Sequence, residues 1–170
     1  MVVKLKTLGG ALFFAALMTP VAQAQDCRLS LNQSTLDYGV IRHETVLGTR
    51  LLHLSVLCTQ PSAIALRFSG AGDAEGFRFG QQGRFRLTLK HAQVDGRAID
   101  WSGAHLPGDS SVAPLPPGQV LVARAVGKRL IAQVEIEVDL PADALQVRNH
   151  VVLEGRGSFE LVSPTVPLSR

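Results

Sequence analysis

Apolar and polar residues alternate one by one along much of this chain, and the segment 130–140 shows the pattern best. Its apolar members are Leu130, Ala132, Val134, Ile136, Val138 and Leu140, and Gln133, Glu135, Glu137 and Asp139 lie between them. A period of two places the apolar side chains on one face of a β-strand and the polar ones on the other. One buried and one solvated face is typical of antiparallel sheets. The pattern therefore predicts an all-β protein with little helix.

The same alternation predicts further strands, separated by residues that favour turns. The predicted strands cover residues 27–31, 52–58, 63–69, 85–89, 97–101, 119–126, 130–140 and 150–161. Asp95-Gly96 predicts a two-residue hairpin turn, because this pair tolerates the positive φ values of a type I′ turn. The proline-rich segment 102–118 is predicted to be a loop, 70–83 a loop beside a short strand, and 141–145 a single helical turn.

The first 24 residues are similar in organisation to a secretory signal peptide. Lys4 and Lys6 precede an apolar run from Leu8 to Met18, and Ala22-Gln23-Ala24 follows it. The run is about 11 residues long, whereas a membrane-spanning helix needs about 20. We expect cleavage between Ala24 and Gln25. The predicted organisation is a signal peptide over 1–24 and one sandwich domain over 25–170.

Composition and charge narrow the choice of partners. Apolar residues make up 46% of the chain, which excludes a disordered chain without a core. The formal charge of +3 comes from 17 basic and 14 acidic residues, and Lys4 and Lys6 belong to the predicted signal peptide. The expected mature chain of 146 residues, 170 less 24, therefore carries only +1. Its basic residues are scattered, so nucleic acid is not expected as a partner.

Two cysteines, Cys27 and Cys58, remain after the expected cleavage. An even number of cysteines in an exported chain favours one disulfide over two free thiols or a metal pair. Neither a CxxC spacing nor a histidine cluster accompanies them, which weakens the metal alternative. Several short strands, regular turns and one disulfide together predict an immunoglobulin-like antiparallel sandwich.

Residues that could carry chemistry are sparse and isolated. Gly108-Asp109-Ser110 is similar to a hydrolase nucleophile block, but it lacks the strand-turn-helix context that activates a serine. Asp100-Trp101 and Tyr38 could form a sugar platform, although sugar sites usually use several aromatic rings. No metal-ligand spacing joins the histidines, which are His43, His53, His91, His105 and His150. We expect no catalytic residue, no metal and no cofactor.

Three blocks of the chain carry a family resemblance. The first runs from Asp26 to Gly39 and ends in Leu-Asp-Tyr-Gly, the second runs from Leu52 through Cys58-Thr-Gln-Pro61 to Gly70, and the third is Gly157-Ser-Phe-Glu-Leu161. Together and in this order they resemble the fimbrial (pilin) subunits of the bacterial chaperone-usher pathway. The resemblance extends over essentially the whole expected mature chain.

This resemblance implies an incomplete sandwich that lacks its final strand and has an apolar groove instead. In that family a periplasmic chaperone lends a strand, and the N-terminal extension of a neighbouring subunit later replaces it by β-augmentation. The resemblance implies a Cys27–Cys58 bridge and an interaction of the Arg170 carboxylate with the chaperone. It also implies that the groove is lined by Leu29, Leu31, Phe159 and Leu161.

Two departures from the family pattern refine the expected function. Only Gln25 and Asp26 precede Cys27 after the expected cleavage, whereas strand-donating subunits carry a longer alternating segment there. Ser169 stands in place of the family's usual tyrosine, and Pro164 and Pro167 remove two hydrogen-bond donors. We therefore expect a minor or tip subunit, structural or adhesive and not an enzyme, that accepts a strand but does not donate one.

The expected route is export through the periplasm to the cell-surface fimbrium. The expected partners are a periplasmic pilus chaperone, the outer-membrane usher, other pilus subunits and a host or surface receptor. The alternative function is a self-contained periplasmic or secreted sandwich that binds a sugar or another small ligand.

Overall fold

The computed structural model describes residues 26–39, 46–145 and 152–163, and these residues form antiparallel strands. The strands are β1 (Cys27–Leu31), β2 (Val46–Gly70), β3 (Gly72–Asp73), β4 (Gly76–Phe79), β5 (Gly83–Val94), β6 (Arg97–Ala98), β7 (Trp101–Ser102), β8 (Ala113–Pro114), β9 (Val120–Asp139) and β10 (Gly157–Val162). A 3₁₀ turn spans Ala142–Leu145. Within the described ranges no helix is long and apolar enough to cross a membrane.

Two long strands, β2 and β9, pair with each other along most of their lengths and form the centre of the sheet. The strand order is β1-β2-β9-β5-β4-β3, while β10 also pairs with β2, β7 with β9, and β6 and β8 with β5. The register between β2 and β9 shifts between Leu57, which lies opposite Arg129, and Ser62, which lies opposite Gly127. This irregularity divides each long strand into two halves.

The two halves of β2 and β9 belong to two facing layers. One layer contains β1, the first half of β2, the second half of β9 and β5, while the other contains β10, the second half of β2, the first half of β9 and β7. Phe68 in the second half of β2 lies 4.7 Å from Phe77 on β4 and 6.0 Å from Phe85 on β5, measured between ring centroids. Because these rings come from opposite layers, the protein is an antiparallel β-sandwich.

The core between the layers consists of the inward positions of the alternating strands. Val56, Leu66, Leu121, Leu130 and Val134 are each 0% exposed. No polar or charged residue is buried in the described part of the chain. Burial of one such aliphatic side chain stabilises a fold by about 1.5–3 kcal/mol. The period of two seen in the sequence is therefore the main determinant of this core.

A disulfide joins Cys27 to Cys58, as the cysteine count predicts. The two residues lie directly opposite each other in the register of β1 and β2, with their Cα atoms 4.0 Å apart. The backbone N–H of Thr59 donates to the carbonyl of Asp26 just beyond this pair. The covalent bond therefore fixes the start of β1 against β2.

The structure corrects several predicted strand boundaries. Segments 52–58 and 63–69 belong to one strand, β2. Segments 119–126 and 130–140 merge into β9, which begins at Val120 and ends at Asp139. The predicted strand 97–101 is wrong, since only Arg97–Ala98 and Trp101–Ser102 pair with neighbours. The strand predicted from residue 150 begins at Gly157, and residues 150 and 151 lie outside the described ranges. The predicted strand 85–89 extends over Gly83–Val94, and the predicted loop 102–118 contains β8.

The Asp95-Gly96 turn is confirmed, with φ values of 49° and 81°. The Asp95 carboxylate accepts hydrogen bonds from the backbone N–H groups of Lys128 and Arg129, at 3.2 and 2.9 Å. A Cβ at Gly127 would overlap the Cγ1 atom of Val94 and lie 2.5 Å from the Asp95 carboxylate. Gly127 therefore marks a close approach between the turn and β9, and it does not end the strand.

We predict that Gly127→Ala destabilises the fold, because the added methyl group must displace Val94 or break the Asp95 hydrogen bonds. Overpacking of this kind costs about 1–3 kcal/mol in the free energy of unfolding. Gly108→Ala is the matched control, since a Cβ there meets nothing within 4 Å. Urea unfolding of both variants measures the difference, and equal midpoints would contradict the prediction.

Removal of the disulfide by Cys27→Ser together with Cys58→Ser is predicted to lower the free energy of unfolding by about 3–4 kcal/mol in the chain-entropy account. The cross-link closes a loop with a sequence separation of 31 residues. Because β1 is held to β2 alone among the described strands, its amides should lose protection first. Hydrogen exchange followed by mass spectrometry tests this order, and uniform loss across the sandwich would contradict it.

Candidate functional site

Strands β1 and β10 lie on the same edge of β2. Both run antiparallel to β2, and β9 pairs with the opposite edge of β2. Strand β10 ends at Val162, opposite Ala65, and β1 begins at Cys27, opposite Cys58. The two strands therefore point in the same direction and form one sheet edge, which is interrupted only where the register of β2 shifts. We call this pair of strands the β10–β1 edge.

The outer side of the β10–β1 edge has no strand partner among the described residues. β1 pairs only with β2, and so does β10, within residues 26–39, 46–145 and 152–163. An unpaired edge presents backbone N–H and C=O groups that another extended chain can bind. The edge is therefore a candidate site for β-augmentation.

The inward side chains of this edge are incompletely covered. Leu29 and Leu31 on β1 pack against the core but are only half-buried. The same is true of Phe159 and Leu161 on β10. The inward residues of the central strand β9 are buried far more completely, since Leu130 and Val134 are 0% exposed. The four groove residues implied by the family resemblance therefore lie together on one open edge, and their role in binding a donor strand stays a prediction.

A cluster of aromatic rings supports the β10 half of the edge. Phe68 contacts Phe159 at 4.9 Å, Phe77 at 4.7 Å and Phe85 at 6.0 Å between ring centroids. Phe77 and Phe85 stack at 5.3 Å. Edge-to-face and stacked pairs of this kind each contribute about 0.5–1.5 kcal/mol beyond their buried area. Phe159 is thus the residue through which β10 packs against the aromatic rings of the core.

Glycines allow the segment before β10 to lie on these rings. A Cβ at Gly155 would lie 2.7 Å from the Cε1 atom of Phe85, and a Cβ at Gly157 would overlap the Cε1 and Cζ atoms of Phe68. The Gly80 N–H donates to the carbonyl of Glu154 at 2.9 Å and holds the segment at its other end. Sequence reasoning missed this role, since Gly155-Arg-Gly157 lies inside the predicted strand 150–161, whereas the observed β10 begins only at Gly157.

The Leu-Asp-Tyr-Gly block packs on another part of the same aromatic region. Tyr38 contacts Phe79 edge to face at 6.2 Å, and the Arg50 guanidinium lies 5.2 Å from the Tyr38 ring centroid. Burial raises the pKa of the Tyr38 hydroxyl above its usual value, and the Arg50 charge partly opposes this change. The N–H of Gly39 donates to the Asp37 carboxylate, which closes the turn. This block is therefore a packing element of the described fold.

The opposite end of the sheet is protected, unlike the β10–β1 edge. It ends in β3, which has only two residues, Gly72 and Asp73. The Arg84 guanidinium donates to the Asp73 carboxylate at 2.7 Å and holds the pKa of that carboxyl below its usual range. Short, charged edge strands discourage pairing with other chains. At this end, therefore, the sheet lacks the long open edge that β10 and β1 form.

The structure separates the residues that could have formed an enzymatic site. The Ser110 hydroxyl donates to the carbonyl of Val112 at 2.8 Å, and Asp109 pairs with Arg124 at 3.0 Å. Nε2 of His105 donates to the carbonyl of Pro114 at 2.7 Å, and its Nδ1 is buried without a partner among the described residues. No hydrogen bond among the described residues joins Ser110 to a histidine. The hydrogen bonds of the Ser110 hydroxyl are therefore made to Val112 in its own loop.

The other candidate residues are also placed apart. Trp101 is 0% exposed, so its ring cannot stack on a sugar in this conformation. His53 and His91 are exposed, whereas His43 and His150 lie outside the described ranges. No group of three or more potential metal ligands occurs in the described part of the chain. The expected cleavage site at Ala24 and Gln25 and the expected anchor at Arg170 also lie outside it.

No protein-family model and no curated protein sequence matches this chain. The functional argument therefore depends on the geometry of the β10–β1 edge.

We predict that Gly157→Ala loosens β10, because the added methyl group would displace the Phe68 ring on which the strand lies. Arg156, whose side chain is 83% exposed, provides a tryptic site directly before β10. Cleavage after Arg156, followed by mass spectrometry, should become several-fold faster in Gly157→Ala. Ser158→Ala is the control at the neighbouring exposed position, and equal rates in the two variants would contradict the role assigned to Gly157.

Proposed function

We propose that this protein is a structural or adhesive subunit of a chaperone-usher fimbria and that it accepts a donor strand at the β10–β1 edge. The observation that supports the proposal most directly is the combination of an unpaired sheet edge with half-buried inward side chains, which are Leu29, Leu31, Phe159 and Leu161. An added strand would satisfy the backbone groups of the edge and cover these side chains. Both effects favour the bound state.

The compartment implied by the disulfide agrees with this proposal. The Cys27–Cys58 disulfide cross-links the edge strand β1 to β2 in the described sandwich. Disulfides form and persist in the periplasm and outside the cell. The proposed partners are therefore a periplasmic pilus chaperone first, then the outer-membrane usher and other pilus subunits, with a surface receptor as a further proposed partner. The proposed role involves no catalytic residue and no cofactor.

The first test compares periplasmic production of residues 25–170 alone, with a pilus chaperone, and with a donor-like strand appended through a flexible linker. We expect aggregation or degradation of the chain alone, because its open apolar edge remains exposed. Co-production should give a soluble one-to-one complex, and the appended strand should restore the soluble monomer. A high yield of soluble monomer without either addition would overturn the proposal and favour the self-contained ligand-binding alternative.

The second test locates the contact on the edge. In the strand-completed protein, hydrogen exchange should show protection of β1 and β10 amides that exchange quickly in the uncompleted chain. Leu161→Arg places a charge at an inward position and should reduce chaperone binding at least tenfold, which corresponds to about 1.4 kcal/mol. Ser158→Arg, at an exposed position of the same strand, should bind normally. Equal losses in both variants, or new protection elsewhere, would place the contact on another surface.

A further inference from the structure

Two glycines lie opposite each other at the start of β10. Gly157 pairs with Gly70 on β2, so neither strand supplies a side chain at this point of the sheet. Gly157 is exposed, and it shares the inward face of β10 with Phe159 and Leu161, because residues two apart along a strand point to the same side. The β10 half of the edge therefore has one inward position without a side chain, followed by two large apolar ones.

The ring of Phe68 occupies the space beneath both glycines. A Cβ at Gly157 would overlap the Cε1 and Cζ atoms of Phe68, and a Cβ at Gly70 would lie 3.2 Å from Cε1. Phe68 also contacts Phe159 edge to face, at 4.9 Å between ring centroids. The Phe68 ring therefore reaches the backbone of the edge strand at Gly157, whereas two positions further along β10 a second ring is already present.

We propose that the donor strand bound at this edge places an aromatic residue opposite Gly157 and a small residue opposite Phe159. This inference rests on the proposed function, because it specifies the side chains of the strand that the edge accepts. Residues directly opposite each other in a strand pair share one face, with Cβ atoms about 4.5–5.5 Å apart. The size of each donor side chain is therefore matched to the residue beside it on β10.

The two positions differ in the room that they leave for a donor side chain. An aromatic ring opposite Gly157 would cover the exposed glycine backbone and contact Phe68, and this kind of contact stabilises glycine at sheet edges. The same ring opposite Phe159 would compete with the Phe159 ring for space, since large and small residues alternate across a well-packed interface. The order of sizes along the donor strand is thus fixed by Gly157 and Phe159.

The β1 half of the edge has no comparable position. Its inward residues are Cys27, Leu29 and Leu31, and each of them carries a side chain that packs against the core. We therefore expect the requirement for an aromatic residue only where the donor strand lies beside β10.

Two strand-completed proteins of identical composition test the order of sizes. One carries an appended strand with Phe opposite Gly157 and Ala opposite Phe159, and in the other strand these two residues are exchanged. The first protein should unfold at a clearly higher urea concentration. Equal midpoints, or a higher midpoint for the exchanged strand, would overturn the inference and leave the proposed function intact. If neither strand stabilises the chain more than a scrambled strand, the proposed function and this inference both fall.

Phe159→Ala should reverse the preference between the two strands. Without the Phe159 ring, the exchanged strand can place its own ring on Phe68, and the original strand leaves a gap there. Both strands are compared on the same variant, so a general loss of stability in Phe159→Ala does not affect the order. Leu161→Ala is the control at the next inward position and should keep the original order. An unchanged order in Phe159→Ala, or a reversed one in Leu161→Ala, would contradict the proposal.

Photochemical cross-linking tests the register directly. The strand-completed protein carries p-benzoylphenylalanine at the donor position opposite Gly157. After irradiation, mass spectrometry should locate the cross-link within residues 68–70 or 155–157. A cross-link to β1, or to the Leu161 end of β10, would show that the aromatic residue binds elsewhere and would overturn the inference.

Discussion

The pairing of β2 with β9 is the constraint on which the rest of the sandwich depends. The two strands stay adjacent from Val46 and Asp139 at one end to Arg67 and Val120 at the other, despite the register shift between Leu57 and Ser62. Each long strand contributes one half to each layer, so this single pair connects both layers. Every other strand either pairs with β2 or β9 directly or reaches them through β5 and β4. The register shift between Leu57 and Ser62 therefore lies where each long strand passes from one layer to the other.

The sequence predicts the inward and outward positions of the strands well, but it does not predict that β2 and β9 are each one continuous strand. Alternation identifies which residues of β2 and β9 point inward, and two cysteines in a chain with an expected signal peptide predict the bond between Cys27 and Cys58. Pro61 and Gly127 look like strand ends, because a proline cannot donate a ladder hydrogen bond and a glycine weakens a strand. In the structure both lie at the irregular part of the β2–β9 pair, where the Asp95 carboxylate binds the freed N–H groups of β9. That compensation comes from a turn 33 residues away and leaves no local pattern.

The candidate site was also predictable only in part, because local sequence patterns identify its residues but not the strand pairing that brings them together. Leu29 and Leu31 follow from the alternation of the first strand, and Phe159 and Leu161 follow from the family resemblance. That these four residues share one edge depends on the direction of β10 relative to β2, which no local sequence feature determines. The packing of β10 on Phe68 was equally unpredictable from the sequence, because it depends on a contact between Gly157 and an aromatic ring from a distant strand. Predictions of sites built from several strands therefore fail first at the pairing and not at the residue types.

An open edge and a cross-linked edge strand are physically related. A strand with one neighbour has half the ladder hydrogen bonds of a central strand, and its inward side chains are covered from one side only. For β1, the Cys27–Cys58 bond compensates for this deficit at the end where the edge is interrupted. For β10, the contacts of Phe159 and the two glycines with the aromatic cluster have the same effect without a covalent bond. The sandwich thus keeps two strands in place although each lacks a second neighbour among the described strands.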